Sequence, residues 1–157
     1  MSNTATTKEK YKIAFVCTGN TCRSPMAQFI LRSKLKKAGI KNVLVRSFGL
    51  NAHKTPMKDN AKYALKQLKA PFSDYISKPI PKNIGTYDAV ICMTCEHKNA
   101  LIGACGALYT MNELCGVGDV PDPYGKDEQE YLRVAVILDK CCDTITDYLI
   151  KINEENK

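Results

Sequence analysis

Between Lys12 and Ala38 this 157-residue chain is more constrained than anywhere else. Lys12-Ile13-Ala14-Phe15-Val16 is a short apolar run that predicts a buried strand. From Met26 to Ala38, residues Ala27, Ile30, Leu31, Leu35 and Ala38 fall on one face of a helix. Between them lies the polar stretch Cys17-Thr18-Gly19-Asn20-Thr21-Cys22-Arg23-Ser24-Pro25. Gly19 and Asn20 tolerate left-handed backbone, as a tight loop requires. Ser24 suits the helix cap and Pro25 its first position. Strand, tight loop and helix together point backbone N–H groups and a helix N-terminus at an anion.

The same alternation continues. Ala38-Gly39 ends the first helix, and Val43-Leu44-Val45 predicts a second strand running into Arg46-Ser47-Phe48-Gly49. A helix is expected from about Met57 to Lys69, and Pro71, Pro79 and Pro81 mark an irregular connection. Tyr87 to Met93 predicts a third strand, Cys95 to Ile102 a short helix and Ala107 to Met111 a fourth strand. Glu113 to Lys126 reads as a functional loop. The last helix is expected from Glu128 to Asn153, with Tyr131, Val134, Ala135, Leu138, Cys141, Cys142, Ile145, Tyr148, Leu149 and Ile152 inward. Strands alternating with helices predict an α/β, doubly wound, three-layer fold on a parallel sheet, with ligands bound beyond the carboxyl ends of its strands. One domain over residues 11–157 is expected, after a polar, disordered leader at 1–10 that has no apolar core of a signal peptide.

Composition narrows the classes. An apolar fraction of 45% and a charged fraction of 25% are those of a globular protein, and no run of 18 apolar residues predicts a membrane span. Eight cysteines without a signal segment imply free thiols in the reducing cytoplasm. Cys92, Cys141 and Cys142 lie in apolar patterns and are expected to be buried. Cys92-x-x-Cys95 has no second pair at zinc spacing, so no metal or other cofactor is expected. The net charge of +7 favours acidic ligands, but the lysines are scattered and show no aromatic–basic interleaving, which argues against nucleic acid.

The loop residues supply a chemistry. The N–H groups from Thr18 to Arg23 suit the oxygens of a phosphate, and Arg23 suits bidentate pairing with two of them. Cys17 is the candidate nucleophile, its thiolate favoured by the helix N-terminus, the loop N–H groups and Arg23. A hydroxyl such as Ser24 suits donation to that thiolate. Asp122, in Val120-Pro121-Asp122-Pro123-Tyr124-Gly125, is the candidate acid for the leaving group, with Tyr124 walling the entrance. The same residues also suit a plain turn.

Cys17 to Pro25 together with Asp122-Pro123-Tyr124 resembles the low-molecular-weight protein tyrosine phosphatase family, in the same order and over nearly the whole chain. The resemblance implies a four-stranded parallel sheet flanked by helices and metal-free hydrolysis of phosphorylated proteins through a phosphocysteine. It implies Cys17 as nucleophile, Arg23 as phosphate ligand and Asp122 as general acid. Thr18, Gly19, Asn20, Thr21, Cys22 and Ser24 match the rest of the phosphate loop, and Ser47 matches a supporting serine. Tyr75 stands where the family commonly has a histidine bonded to that loop. Thr21 stands where tyrosine-specific members carry isoleucine or leucine. Thr18, Thr21, Met26 and Met93-Thr94-Cys95-Glu96-His97-Lys98 resemble the bacterial protein-arginine phosphatase branch, which implies phosphoarginine as substrate. Gly125 after Tyr124 leaves out the second aromatic of tyrosine-specific members. Phosphoarginine is therefore favoured over phosphotyrosine.

Two other classes remain as alternatives. A thioredoxin-coupled arsenate reductase has a similar loop and needs a cysteine relay, for which Cys92, Cys95 and Cys105 are the candidates. A phosphoprotein-binding module without turnover would keep the cradle alone. Cys22 suits either a disulfide with Cys17 that protects the nucleophile or plain packing in the loop. His53 and His97 are expected to be surface or capping residues.

Overall fold

The computed structural model describes residues 10–155, so the expected leader, apart from Lys10, lies outside the described residues. Strands β1 (Tyr11–Cys17), β2 (Val43–Gly49), β3 (Ala89–Cys92) and β4 (Leu108–Thr110) are all parallel, in the order β2-β1-β3-β4. They alternate with helices α1 (Arg23–Lys37), α2 (Asp59–Gln67), α3 (Cys95–Leu101), α4 (Met111–Cys115) and α5 (Glu128–Glu155). Among the described residues no helix is long and apolar enough to cross a membrane.

The period of two along β1 divides the core. Ile13, Phe15 and Cys17 pack with residues of α1, α2 and α5 on one face. Ala14 and Val16 pack with Phe48, Ile84, Val90, Cys92 and Leu101 on the other. A strand covered on both faces reads as an unbroken apolar run, which is why Lys12–Val16 shows no polar alternation. Helix α5 buries Tyr131, Val134, Ala135, Leu138, Cys141, Cys142, Ile145 and Leu149. Tyr148, expected inward, is exposed at the margin of that stripe. Lys34 of α1 reaches Asp139 at 3.0 Å and Asp143 at 2.6 Å on α5, pinning the two helices along their polar edge.

The expected fourth strand is shorter than Ala107–Met111, because Met111 opens α4. Thr110 and Glu113 cap α4 reciprocally, and Gly116 closes it at φ 71°. The Gly and Pro content of Glu113–Lys126 concealed this Thr-x-x-Glu box. The strand order reverses direction between β1 and β3, since the chain steps from β1 out to β2 and returns to β1's other side. The carboxyl ends of β1 and β3 therefore flank one crevice.

Candidate active site

The loop from Cys17 to Arg23 turns sharply between β1 and α1. At its centre Asn20 is wholly buried, with φ 58°. Its Nδ2 donates to Ser24 Oγ at 2.7 Å and Ser47 Oγ at 3.1 Å. Its Oδ1 accepts from the Tyr75 hydroxyl at 2.7 Å and from Lys78 N at 2.8 Å. Both donors and both lone pairs of the amide are thus occupied, which offsets the strain of a left-handed non-glycine residue. Ser47 Oγ donates onward to Gln28 Oε1 at 2.8 Å. Burial pushes the Tyr75 phenol up from its ordinary value, which keeps it protonated as a donor.

The end of β2 closes on the loop. A Cβ at Gly49 would lie 2.6 Å from the Thr18 carbonyl oxygen, so only glycine fits this approach. Leu50 N donates to Cys17 O at 3.0 Å, Asn51 N to Thr18 O at 2.9 Å and Lys58 N to Thr21 O at 3.1 Å. A trans peptide sets its C=O and N–H on opposite sides. These three bonds therefore aim the N–H groups of Thr18, Gly19 and Cys22 away from β2 and the segment before α2.

Cys17, at 3% exposure, places Sγ 2.9 Å from Ser24 Oγ. The expected capping role of Ser24 is corrected here. Helix α1 begins at Arg23, Cys22 holds the cap position without a side-chain bond, and Pro25 lies inside the first turn. The Ser24 hydroxyl is instead taken by Cys17 and Asn20. Arg23 is buried, donates from Nη1 to Val120 O at 3.1 Å and holds Nη2 3.6 Å from Asp122 Oδ2. Asp122 Oδ1 accepts from Tyr124 N at 3.1 Å, so the turn and the presentation of the carboxylate are one local structure. The exposed Tyr124 ring lies 4.9 Å from Lys58 Nζ. Cys17, Thr18, Gly19, Asn20, Thr21, Cys22 and Arg23 line a cleft of about 330 Å³ together with Asn51, Asp122 and Tyr124. The Cys22 sulfur lies 3.6 Å from Thr21 Oγ1 and 3.3 Å from the Tyr131 hydroxyl, and burial pushes its thiol up. Cys92 is buried and pushed up to about 12, whereas Cys95 is exposed.

Two residues near the cleft escaped the sequence reading. Asn51 gave no signal, since it belongs to no motif. His97, expected at the surface or as a cap, is only 2% exposed. Its backbone N–H bonds the N-cap Thr94 Oγ1 at 3.2 Å, and its Nε2 lies 2.8 Å from Thr18 Oγ1. Burial, reinforced by Arg23, lowers it to about 4. The Thr94-x-x-His97 cap directly after a strand's carboxyl end was the available signal. His53 is exposed, as expected.

A family model described as "Low molecular weight phosphotyrosine protein phosphatase" matches residues 12–157. The low molecular weight protein-tyrosine-phosphatase PtpA of Staphylococcus aureus (strain MRSA252) is 31% identical over 147 residues, covering 88% of this chain and 94% of PtpA. The YwlE arginine phosphatase of Geobacillus stearothermophilus superposes with a TM-score of 0.83 at 29% identity, covering 94% of this chain and 97% of that one. A YwlE arginine phosphatase in a Cys-to-Ser mutant with a phosphorylated active-site serine gives 0.81 at 32%, covering 89% and 96%.

Proposed function

This chain belongs to the low-molecular-weight phosphotyrosine protein phosphatase family, and from that premise we propose that it hydrolyses phosphorylated protein side chains through a phosphocysteine on Cys17, with phosphoarginine favoured over phosphotyrosine. The observation that carries the reading is the Cys17–Ser24 contact of 2.9 Å in a cleft where Arg23 meets Asp122 at 3.6 Å.

In the first step the Cys17 thiolate attacks phosphorus, and the bond from phosphorus to the leaving oxygen or nitrogen breaks. Asp122 gives its proton to the departing group. Phosphate bound between the loop N–H groups and Arg23 competes with Asp122 for the guanidinium, which frees the Asp122 carboxyl to face the leaving group. In the second step water attacks phosphorus, Asp122 takes the water proton, the P–S bond breaks and Cys17 leaves as thiolate while Ser24 donates to it. The relative with a phosphorylated active-site serine supports a covalent phosphoenzyme.

Thr21 supports phosphoarginine. It lines the cleft with a hydroxyl where isoleucine would place apolar bulk, and a guanidinium needs hydrogen-bond acceptors that an aromatic ring does not. The arginine phosphatases among the relatives support the same choice. Eight free thiols suit a reducing cytoplasm. The test is phosphate release from phosphoarginine and phosphotyrosine peptides by wild type and Thr21→Ile. The variant is expected to shift the ratio toward tyrosine, and an unchanged ratio removes Thr21 from the specificity argument.

A further inference from the structure

His97 comes from the far side of the crevice. It sits in the first turn of α3, just beyond β3, and meets Thr18 just beyond β1, so its bond spans 79 residues and the reversal of strand order. Its placement is fixed from behind by the N-cap bond to Thr94. Its Nδ1 is buried and has no hydrogen-bond partner among the described residues.

That orphan nitrogen decides the tautomer. With the proton on Nδ1, a buried N–H donor would go unsatisfied. With the proton on Nε2, Nδ1 leaves only a lone pair in the interior, the smaller loss. The Nε2–H then donates to Thr18 Oγ1, which keeps one hydrogen and one lone pair of its own. Thr18 is itself exposed and lines the cleft.

We infer that His97 is a positioning residue: its Nε2–H holds Thr18 Oγ1 and turns the hydroxyl's own hydrogen into the cleft, making Thr18 a side-chain donor to the phosphoryl group bound there. The phosphatase reading enters only through the identity of that bound group.

Burial first, and the surrounding charges second, keep His97 neutral. Arg23 of α1 disfavours a second cation, while Asp119 and Asp122 in the loop before α5 oppose it more weakly than burial and Arg23 favour neutrality. Asp119 is engaged elsewhere, since its Oδ1 accepts from Cys95 N at 3.0 Å. Neutrality fits the site, because an imidazolium would pull on the phosphate from a second direction and compete with Arg23.

Nitrogen NMR of His97 in the resting protein reads the tautomer without any turnover. A neutral ring protonated at Nε2 is expected at pH 6 to 8, and a ring protonated at Nδ1 overturns the inference. Steady-state hydrolysis of para-nitrophenyl phosphate, and binding of inorganic phosphate by calorimetry, are then compared for Thr18→Val, His97→Leu, His97→Gln and Thr18→Val/His97→Leu. Loss of one hydrogen bond to a charged ligand is expected to raise KM and the phosphate Kd about tenfold in Thr18→Val and His97→Leu, with kcat changed far less. The double variant is expected to match the single ones, because His97 acts through Thr18. Glutamine, whose amide N–H reaches as far as Nε2, is expected to recover affinity relative to leucine. Multiplying losses in the double variant, or glutamine no better than leucine, overturn the inference. If His97→Leu does not fold, the tautomer and the comparison of His97→Gln with Thr18→Val still decide. Wild type that binds phosphate but releases no para-nitrophenol overturns the phosphatase reading instead and leaves the tautomer and binding arms intact.

Discussion

The Tyr75 hydroxyl donates to Asn20 Oδ1 at 2.7 Å, tying the irregular segment after α2 to the left-handed residue at the centre of the phosphate loop. The same hydroxyl lies 2.9 Å from Ser47 Oγ, so one phenol joins Asn20 of the loop to Ser47 of β2. Tyr75→Phe keeps the ring and its packing on Phe29 but removes the donor. Losing a buried hydrogen bond of this kind costs about 1–3 kcal/mol. A lower melting temperature is expected, with kcat/KM falling as the loop loosens. A Tyr75→Phe variant as stable and active as wild type would show that Lys78 N and the remaining bonds hold Asn20 unaided.

Asp122 is half-exposed and bonded to Arg23 and the Tyr124 N–H, with no structural load beyond its turn. Asp122→Asn is therefore expected to keep the fold and lower kcat/KM, which reports the first step alone, by about 10²–10⁴ for leaving groups that need a proton. Para-nitrophenolate leaves without one, so its ester is expected to lose much less. Equal losses of kcat/KM for both kinds of leaving group would take the acid role away from Asp122. Cys17→Ser is expected to abolish turnover of both.

At Gly49 an added methyl meets backbone rather than a yielding side chain, 2.6 Å from Thr18 O and 3.0 Å from Asn20 N. Gly49→Ala is expected to cost about 1–3 kcal/mol by overpacking and to displace the phosphate loop. Phosphate affinity measured by calorimetry should fall along with chemical stability. Retained affinity in a destabilised variant would show that β2 yields and the loop does not.

His97 gives the protein a signed dependence on pH. Its folded value is lowered to about 4 from an ordinary value near 6.5, so between these the unfolded chain binds the proton and the folded chain does not. Its contribution to stability is therefore fully present above about pH 6.5 and is lost as pH falls through 4, on the order of 3 kcal/mol in all. Urea unfolding at intervals from pH 7 to pH 4 measures the slope. His97→Gln is expected to flatten it, and an unchanged slope would assign the acid sensitivity to other groups.

Much of the site is legible in the chain because its chemistry is local. A thiol, five residues of turn-forming loop and an arginine at a helix start must be neighbours in sequence to share one phosphate cradle. The Pro-flanked Asp122 is legible for the same reason, since its turn presents it. The Ser24 cap was misread because a hydroxyl at a helix start satisfies either the helix or the thiol, and the buried Cys17 sulfur decided between them.

The amino-acid sequence by itself determined the alternation of strands and helices, through apolar period and turn residues, and which residues are the candidates for nucleophile, phosphate ligand and acid, through local spacing and a family resemblance. Ser47 and Tyr75 are expected as loop supports from the family resemblance; only the tertiary structure decided which atoms they bond and brought His97 to the loop. Tyr75 reaches Asn20 across 55 residues and His97 reaches Thr18 across 79. No spacing rule encodes such pairs, because they exist only once β2 and β3 have docked on either side of β1, and the sheet's hydrogen bonds, not the chain's local preferences, set that order.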